Sequence, residues 1–308
     1  MILCCGEALI DMLPREAKSG ESAFAPHVGG SVFNSALALG RLETPVGFFS
    51  GLSDDLFGVR LQAALRESRV DLAYARISSL PTTLAFVTLA EGQASYFFYD
   101  ENTAGRMLSE SDLPRLDDGV EALLFGGISL ATEPCGATYE ALMAREASTR
   151  VTMLDPNIRP VFIKDAEPHR ARMRRMMAMA DIVKISEEDL AWLGGTGGHA
   201  EAARDLLGAE TKLVVITSGG RGAAAFWNGG SAVIEAVPVE VVDTVGAGDA
   251  FNAGVLAALR EAGALSKTGV ARLQEGTVRD ALAFAARVAA ITVSRAGANP
   301  PWRAELSP

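Results

Sequence analysis

Residues 241–251 read VVDTVGAGDAF and run directly into NAGVLAAL, a helical pattern. A strand-like run, a glycine-rich turn and a helix start, in that order, aim several backbone N–H groups at one point, reinforced by the positive end of the helix dipole. Such a point holds an anion. Gly246 and Gly248 remove side chains that would block close approach or forbid unusual backbone angles. Asp249 stands at the mouth of the turn. A carboxylate there gains little as a phosphate ligand, because like charges repel, but it is well placed to take the proton of a hydroxyl attacking a bound phosphoryl group. It would serve equally as a plain helix cap, and spacing alone leaves both roles open. The commoner phosphate loops are absent: GxxxxGK[ST] does not occur, and no GxGxxG follows the first strand.

The elements that must position this turn alternate along the chain. Short apolar runs at 2–5, 46–49, 122–125, 151–154, 182–185 and 213–217 read as strands buried on both faces. Helical patterns at 32–42, 56–68, 137–147, 167–179, 200–207, 250–262 and 278–293 fall between or after them, with Gly263 placed as a helix stop. This is the pattern of a mostly parallel α/β sheet with crossover helices. One region breaks the rhythm. Residues 82–90 and 93–99 are strand-like runs joined by Glu91 and Gly92, a hairpin expected to stand outside the main sheet. No repeat or Pro/Ser-rich linker divides the chain, so one domain with a small inserted lid is expected.

The chain has 308 residues and a formal net charge of -10, with 49% apolar and 21% charged residues. That is ordinary globular usage. So acidic a surface repels a phosphate backbone or an anionic lipid, so neither nucleic acid nor membrane is an expected partner. No run reaches the roughly 20 apolar residues of a bilayer span, and residues 1–10 lack the basic start of a secretory signal, so a cytoplasmic location is expected. Cys4 and Cys5 would point to opposite faces of a strand and Cys135 stands alone, which reads as three buried thiols without a disulfide. His27, His169 and His199 are scattered, and no structural zinc site is visible. The Met-rich basic segment 170–179 reads as a helix with Met in the core and a solvated Arg face, with a partner-binding helix as the alternative.

Residues 243–251, DTVGAGDAF, resemble the C-terminal signature of the PfkB (ribokinase-like) family of sugar and nucleoside kinases, and residues 29–42, GGSVFNSALALGRL, resemble its N-terminal signature. The two lie more than 200 residues apart and in the family's order. Further counterparts occur at 6–11, 98–108, 155–159, 180–190, 217–222 and 297–301. The resemblance implies a ribokinase-like three-layer α/β fold over 1–308, with a mostly parallel central sheet and a lid from roughly 12–28 and 81–104. It implies that Asp249 is the catalytic base and that the amides of Gly246, Ala247, Gly248 and Asp249 form the anion hole. Asp11, at the end of the first strand, would bind sugar hydroxyls, each carboxylate oxygen accepting two donors. Gly29, Gly30 and Asn34 match the sugar-contacting signature. Tyr96 and Phe98, with Asp100, share one face at strand spacing, where rings would cover the sugar and exclude water; simple core packing is the alternative. Arg159, in DPNIR, would offset charge near the phosphoryl group, or else belong to a surface ion pair.

On the nucleotide side the resemblance implies that Thr217, Gly219 and Gly222 wrap the ATP phosphates, with Lys184 and Ser186 nearby. Mg2+ accompanies ATP in the family, and a monovalent cation such as K+ is a further expectation. The family's Asn-x-x-Glu magnesium pattern is replaced here by Ser186, Glu187, Glu188 and Asp189, which leaves Glu187 and Asp189 as the candidates to steady the metal. Family members phosphorylate fructose, ribose, 2-keto-3-deoxygluconate, adenosine and other hydroxyl compounds, so the fold does not name the acceptor. Residues 98–108, FYDENTAGRML, look most like bacterial fructokinases. In keto-sugar-acid kinases the position of Asp100 is commonly Arg, as it is in some fructokinases, and an acid there would repel a substrate carboxylate. The expected reaction is conversion of D-fructose and ATP to fructose 6-phosphate. The alternatives are a 2-keto-3-deoxygluconate kinase or another sugar or nucleoside kinase of the family, a sugar-binding regulator, and a dinucleotide oxidoreductase that the missing glycine fingerprint disfavours. Lid edge strands would allow a homodimer.

Overall fold

Why these runs become buried strands is visible in β1 (Ile2–Cys5), whose four side chains are all fully enclosed. The computed structural model describes residues 1–90, 93–195, 197–208 and 210–306, with the side chains of 88–96 outside that description. After β1 come β2 (Leu9–Glu16) and β3 (Ser22–Gly29), then α1 (Ser31–Arg41). Next are β4 (Val46–Phe49), β5 (Gly51–Ser53), α2 (Leu56–Glu67), β6 (Arg76–Ser78), β7 (Leu84–Ala90) and β8 (Gln93–Tyr99). Strand and helix then alternate through β9 (Ala122–Gly126), α3 (Cys135–Glu146), β10 (Val151–Asp155), α4 (Ala166–Met179), β11 (Ile182–Ser186), α5 (Glu187–Trp192), α6 (His199–Leu206) and β12 (Leu213–Thr217). The chain ends with β13 (Ala223–Trp227), β14 (Gly230–Ile234), α7 (Ala247–Glu261), α8 (Lys267–Val270) and α9 (Glu275–Val293).

The main sheet has the order β14-β13-β12-β11-β10-β9-β1-β4. Its six strands from β12 to β4 are parallel, and β13 and β14 add an antiparallel edge. Helices cover both faces, giving three layers. Side chains of α1, α7 and α9 pack on one face with Cys4, and those of α3, α4 and α6 on the other with Cys5. The two adjacent cysteines therefore enter different cores, as period-2 alternation requires, and all three thiols are free and buried. Burial pushes the Cys135 thiol up to about 11. On α4, Met173, Met176 and Met177 are buried while Arg172 and Arg175 pair with Glu140 of α3, which is the core-plus-Arg-face reading. The helices α7 and α9 approach so closely that a Cβ on Gly254 would lie 2.5 Å from the Ala285 backbone.

The lid is a separate four-stranded sheet, β3-β2-β7-β8, in which β2 pairs antiparallel with β3 and parallel with β7. The expected hairpin of β7 and β8 is present in register, and its turn at 91–92 lies outside the described residues. Two expectations need correction. Asp11 sits not at the end of the first strand but three positions into β2, in the lid sheet. The late helix starts at Ala247 and not at Ala250, because Gly246 adopts a left-handed φ of 80° as its N-cap, so Asp249 is inside the first turn. Gly263 is the helix stop, with φ 66° just past α7. Among the described residues no helix is long and apolar enough to cross a membrane.

Candidate active site

The turn of residues 246–249 is built for close approach. Gly246 carries a positive φ, and a Cβ there would also meet Ala298 Cβ at 2.7 Å. The N-terminus of α7 has no side-chain cap; Ala247 N–H bonds the Thr244 carbonyl at 3.3 Å, and the other first-turn N–H groups of a helix have no partner within it. Asp249 is 7% exposed, and its two oxygens accept from α1: Oδ1 from Ser31 Oγ at 2.7 Å and Oδ2 from Asn34 Nδ2 at 2.9 Å. Ser35 Oγ adds a bond of 3.1 Å to the Asp249 carbonyl. The carboxylate is thus turned toward another helix and does not cap its own, which removes the cap alternative. Burial pushes it up to about 6; bonds from Asn34 and Ser31 oppose this, the Asp155 charge adds to it and Lys184 offsets it.

The sugar-side residues gather around this carboxylate. Burial and the charge of Asp249 push Asp11 up to about 6 as well. Gly29 is needed for this approach, since a Cβ would sit 2.2 Å from Asp11 Oδ2, and Gly30, at φ 113°, begins α1. Asn34 Oδ1 is buried and finds no partner among the described residues, leaving an acceptor suited to a sugar hydroxyl.

Beneath the turn lies a second buried set. Lys184 is 3% exposed, pairs with Asp155 Oδ2 at 2.9 Å, and lies 3.1 Å from where a Cβ of Gly248 would be. Asn252 Nδ2 donates to the same Asp155 oxygen at 2.7 Å. The structure places Lys184, expected near the nucleotide, under the anion-binding turn, with its ammonium bonded to Asp155 as part of the site's floor.

On the nucleotide side, Thr217 ends β12, and residues 218–222 connect it to antiparallel β13. Gly222, at φ 99°, serves this connection, because a Cβ would meet Ile234 O at 2.0 Å; Gly219, at φ 54°, faces open space. Ser186 caps α5 by accepting from Asp189 N at 3.0 Å. The two metal candidates diverge. Glu187 is bound by Ser218 Oγ at 2.9 Å, shares a 2.6 Å bond with His199 Nε2 and pairs with Arg221. Asp189 accepts from Ile158 N at 3.0 Å, and burial with the nearby Asp155 charge pushes it up to about 6. Among the described residues no group of three His, Cys, Asp or Glu side chains is arranged to hold a metal.

Arg159 is exposed at the end of the β10 loop and donates to the Ile158 carbonyl at 2.9 Å. Phe98 is half-buried and meets Phe162 edge to face, 4.7 Å between centroids, beside Leu9, Ala85 and Ile128. The Tyr96 side chain lies outside the described residues. Asp100 is buried but pairs with Arg106 at 3.1 Å. The argument that its charge would repel an acidic sugar is therefore corrected, because Arg106 neutralises it.

Sequence reading missed Glu7, Ser31, Asp155, Asn252 and Phe162. Two signals were available: Asn252 falls three residues after Asp249, on the same helix face, and Lys184 sits inside a strand buried on both faces, where a lysine needs a counter-charge. Glu7 and Ser31 lie in the segments 6–11 and 29–42 that the resemblance covers, without a signal that singles out either residue, and Phe162 lies in none.

A family model described as pfkB family carbohydrate kinase matches residues 1–305. The chain is 54% identical over 280 residues to a fructokinase of Rhizobium leguminosarum bv. trifolii, covering 91% of this chain and 86% of that protein. It is 33% identical over 258 residues to a fructokinase of Klebsiella pneumoniae, covering 82% of each. Among solved structures, a fructokinase with bound ATP from Xylella fastidiosa superposes with a TM-score of 0.86 at 28% identity, over 96% of this chain and 93% of that one. A fructokinase from Vibrio cholerae O395 in fructose, ADP and calcium ion bound form gives 0.81 at 28% identity, over 96% and 94%. A buried aspartate inside a glycine-rich helix turn, faced by the asparagine of a second signature and embedded in this sheet order, agrees with the full-length match: the chain belongs to the pfkB family of carbohydrate kinases.

Proposed function

We propose that the protein transfers the γ-phosphoryl group of ATP to the primary 6-hydroxyl of D-fructose, giving fructose 6-phosphate and ADP. The observation that carries this is the Asp249 carboxylate, buried at the start of α7, braced by Ser31 and Asn34 and adjacent to Asp11. Asp11 and Asn34 orient the sugar by its hydroxyls, and Phe98 covers it. As the sugar oxygen forms its bond to phosphorus, Asp249 takes the hydroxyl proton while the bond to the ADP oxygen breaks. The amides of residues 246–249 receive the charge on the transferred group. Arg159 adds a fixed cation, and Thr217 and Gly219 line the path of the nucleotide phosphates.

Mg2+ bound with ATP would offset phosphate charge; Glu187, beside the 218–222 turn, would be the carboxylate to steady it, with Asp189 behind, each already bonded to protein partners, so that phosphate oxygens and water would supply most of its ligands. A monovalent cation such as K+ is a further companion of the nucleotide site. The dependence on ATP fits a cytoplasmic location.

Fructose is favoured over 2-keto-3-deoxygluconate by the 54% identity to a fructokinase and not by Asp100, whose charge Arg106 balances. ATP turnover measured against fructose, ribose, adenosine and 2-keto-3-deoxygluconate tests the choice. Highest kcat/KM on fructose is expected; preference for the keto acid overturns the substrate, and no turnover with any acceptor favours a sugar-binding regulator. The lid's outer face carries exposed Phe24, Phe97 and Tyr99, with Phe86 stacked edge to face on Phe24 and Tyr99, and β3 and β8 are its free edges. This supports a homodimer through the lid, and a monomer mass in solution would refute it.

A further inference from the structure

The helix that presents Ser31 and Asn34 to Asp249 has no cap of its own. Its N-cap is Gly30, at φ 113°, without a side-chain bond. The first N–H, that of Ser31, is instead taken by Glu7 Oε1 at 2.7 Å, from the connection between β1 and β2. The other oxygen of Glu7 accepts from Ser129 Oγ at 3.1 Å and Ser129 N at 3.4 Å, in the single turn at 128–130 that follows β9. One carboxylate, 7% exposed, therefore ties together three segments that meet only in the folded molecule.

The chain makes room for it at two positions of unusual backbone. A Cβ on Gly30 would lie 2.8 Å from the Glu7 carbonyl, and one on Gly127, at φ 77°, would lie 2.2 Å from both Glu7 carboxylate oxygens. Two left-handed glycines enclosing a single buried acid is a costly local arrangement for a residue that merely fills space. Burial pushes the Glu7 carboxyl up, and the bonds from Ser31 and Ser129 oppose this. A negative charge at the start of α1 also favours the helix dipole.

The geometry points to Glu7 as a positioning residue for phosphoryl transfer, a buried carboxylate cap that fixes the start of α1 so that Ser31 and Asn34 hold the base in line. This rests on Asp249 being that base. Glu7 itself touches neither reactant; it acts through Ser31, one peptide unit from the bond it makes.

The test is a double-mutant cycle on the full-length enzyme with Glu7→Gln, Ser31→Ala and the pair, at pH 8.5, where Asp249 is ionised. Circular dichroism and titration with a nonhydrolysable ATP analogue normalise each rate to folded protein. Gln keeps the volume and one acceptor, but loses the charge and sets an amide N–H against that of Ser129. We expect kcat per folded molecule to fall about tenfold in Glu7→Gln, in line with loss of a charge-assisted bond, with fructose KM raised and nucleotide affinity within about twofold. The double variant should lose less than the product of the two single losses, because Glu7 bonds the Ser31 backbone N–H, which Ser31→Ala keeps, and acts in part through the Ser31 Oγ–Asp249 bond that this change removes. Unchanged kcat in Glu7→Gln, or a double loss equal to the product of the single losses, overturns the proposal. A residue that only stabilised the fold would lower the melting temperature and leave kcat per folded molecule alone, which overturns it too. If Glu7→Gln fails to fold, Ser129→Ala, which removes one donor to the same carboxylate, should lower kcat about two- to threefold, and an unchanged kcat there refutes the role. Asp249→Asn separates the two readings: high activity in that variant removes the base, whereas an inactive one beside an unimpaired Glu7→Gln removes only the role of Glu7.

Discussion

The proton affinity of Asp249 makes the pH dependence of turnover a direct probe of the site. Its carboxyl lies at about 6, against an ordinary 3.8, chiefly through burial. As the acceptor of a proton it works only when ionised, so kcat/KM for fructose should fall as the pH drops through about 6 and be flat above 7. The groups facing it are Ser31 and Asn34 from α1, Asp11 from β2, Asp155 from β10 and Lys184 from β11. The bond from Ser31 is stronger to the ionised form than to the protonated one. A hydrogen bond to a charged acceptor contributes about 1.5–3 kcal/mol, and one pKa unit is about 1.36 kcal/mol. Taking the lower end, because water can partly replace the hydroxyl, Ser31→Ala should move the acid limb up by about one unit. Asp11→Asn, which removes a neighbouring negative charge, should move it down, and the parent limb is a property of both acids together. The assay is initial velocity from pH 5 to 9 at subsaturating fructose, with ADP quantified by chromatography so that no coupling enzyme limits the range. A parent limb below pH 5, or one that Ser31→Ala leaves in place, refutes the assignment of Asp249 as a buried base controlled by α1.

Asp249→Asn should lose about 10²–10⁴ in kcat, the range for a general base, while keeping sugar and nucleotide binding; near-normal turnover removes it from the role. The same variant should be more stable than the parent at pH 8. A carboxyl whose folded pKa is raised from 3.8 to about 6 costs stability above pH 6, by at most about 3 kcal/mol, and that cost fades as the pH falls from 6 toward 3.8. Melting curves at pH 8 and pH 5 should therefore show a gain that shrinks at the lower pH, and no gain at pH 8 contradicts the burial argument. Arg159→Ala should lower kcat about tenfold or more with fructose KM nearly unchanged, as loss of an electrostatic stabiliser implies; an unaltered rate returns Arg159 to a surface role. Phe98→Ala removes the edge-to-face contact with Phe162, an interaction of about 0.5–1.5 kcal/mol, and should raise fructose KM by up to about tenfold; an unchanged KM makes the ring a packing residue only.

How far the fold was legible follows from the kind of surface each element buries. The six central strands are largely apolar runs that admit little but a strand enclosed on both sides, and the last two long helices, α7 and α9, carry apolar residues at helical spacing. The β2–β3 pair was not legible, because Pro14, Arg15, Pro26 and His27 interrupt both periods. Nor was β13, whose Ala223, Ala224 and Ala225 have no strand preference and are ordered by pairing with β12. The site divides in the same way. Asp249 and its glycines stand in a segment whose spacing implies close backbone approach, whereas Asn34, Gly29, Gly30 and Asp11 were legible only through the family resemblance. Ser31 lies in the same segment as Asn34, but its hydroxyl gains its meaning only from a partner 218 residues away.

The same contrast explains how a chain of net charge -10 can bind a polyphosphate. Two buried carboxylates, those of Asp155 and Asp249, and the half-buried one of Asp11 converge near the turn, and among the described residues only Asp155 is ion-paired to a cation. The local field that a phosphate meets is therefore set less by charged side chains than by the N-terminal amides of α7, with Lys184 pinned below Gly248. That arrangement leaves the charge of Asp249 uncompensated by any side chain closer than the floor, which keeps its affinity for a proton high enough to accept one from an alcohol. Pairing it directly with a lysine would hold the carboxylate ionised and stabilise the fold, but would weaken it as a base. Neutral donors from α1 orient the group without lowering its proton affinity as far as a cation would, which suits a carboxylate that must take a proton and still be held in place.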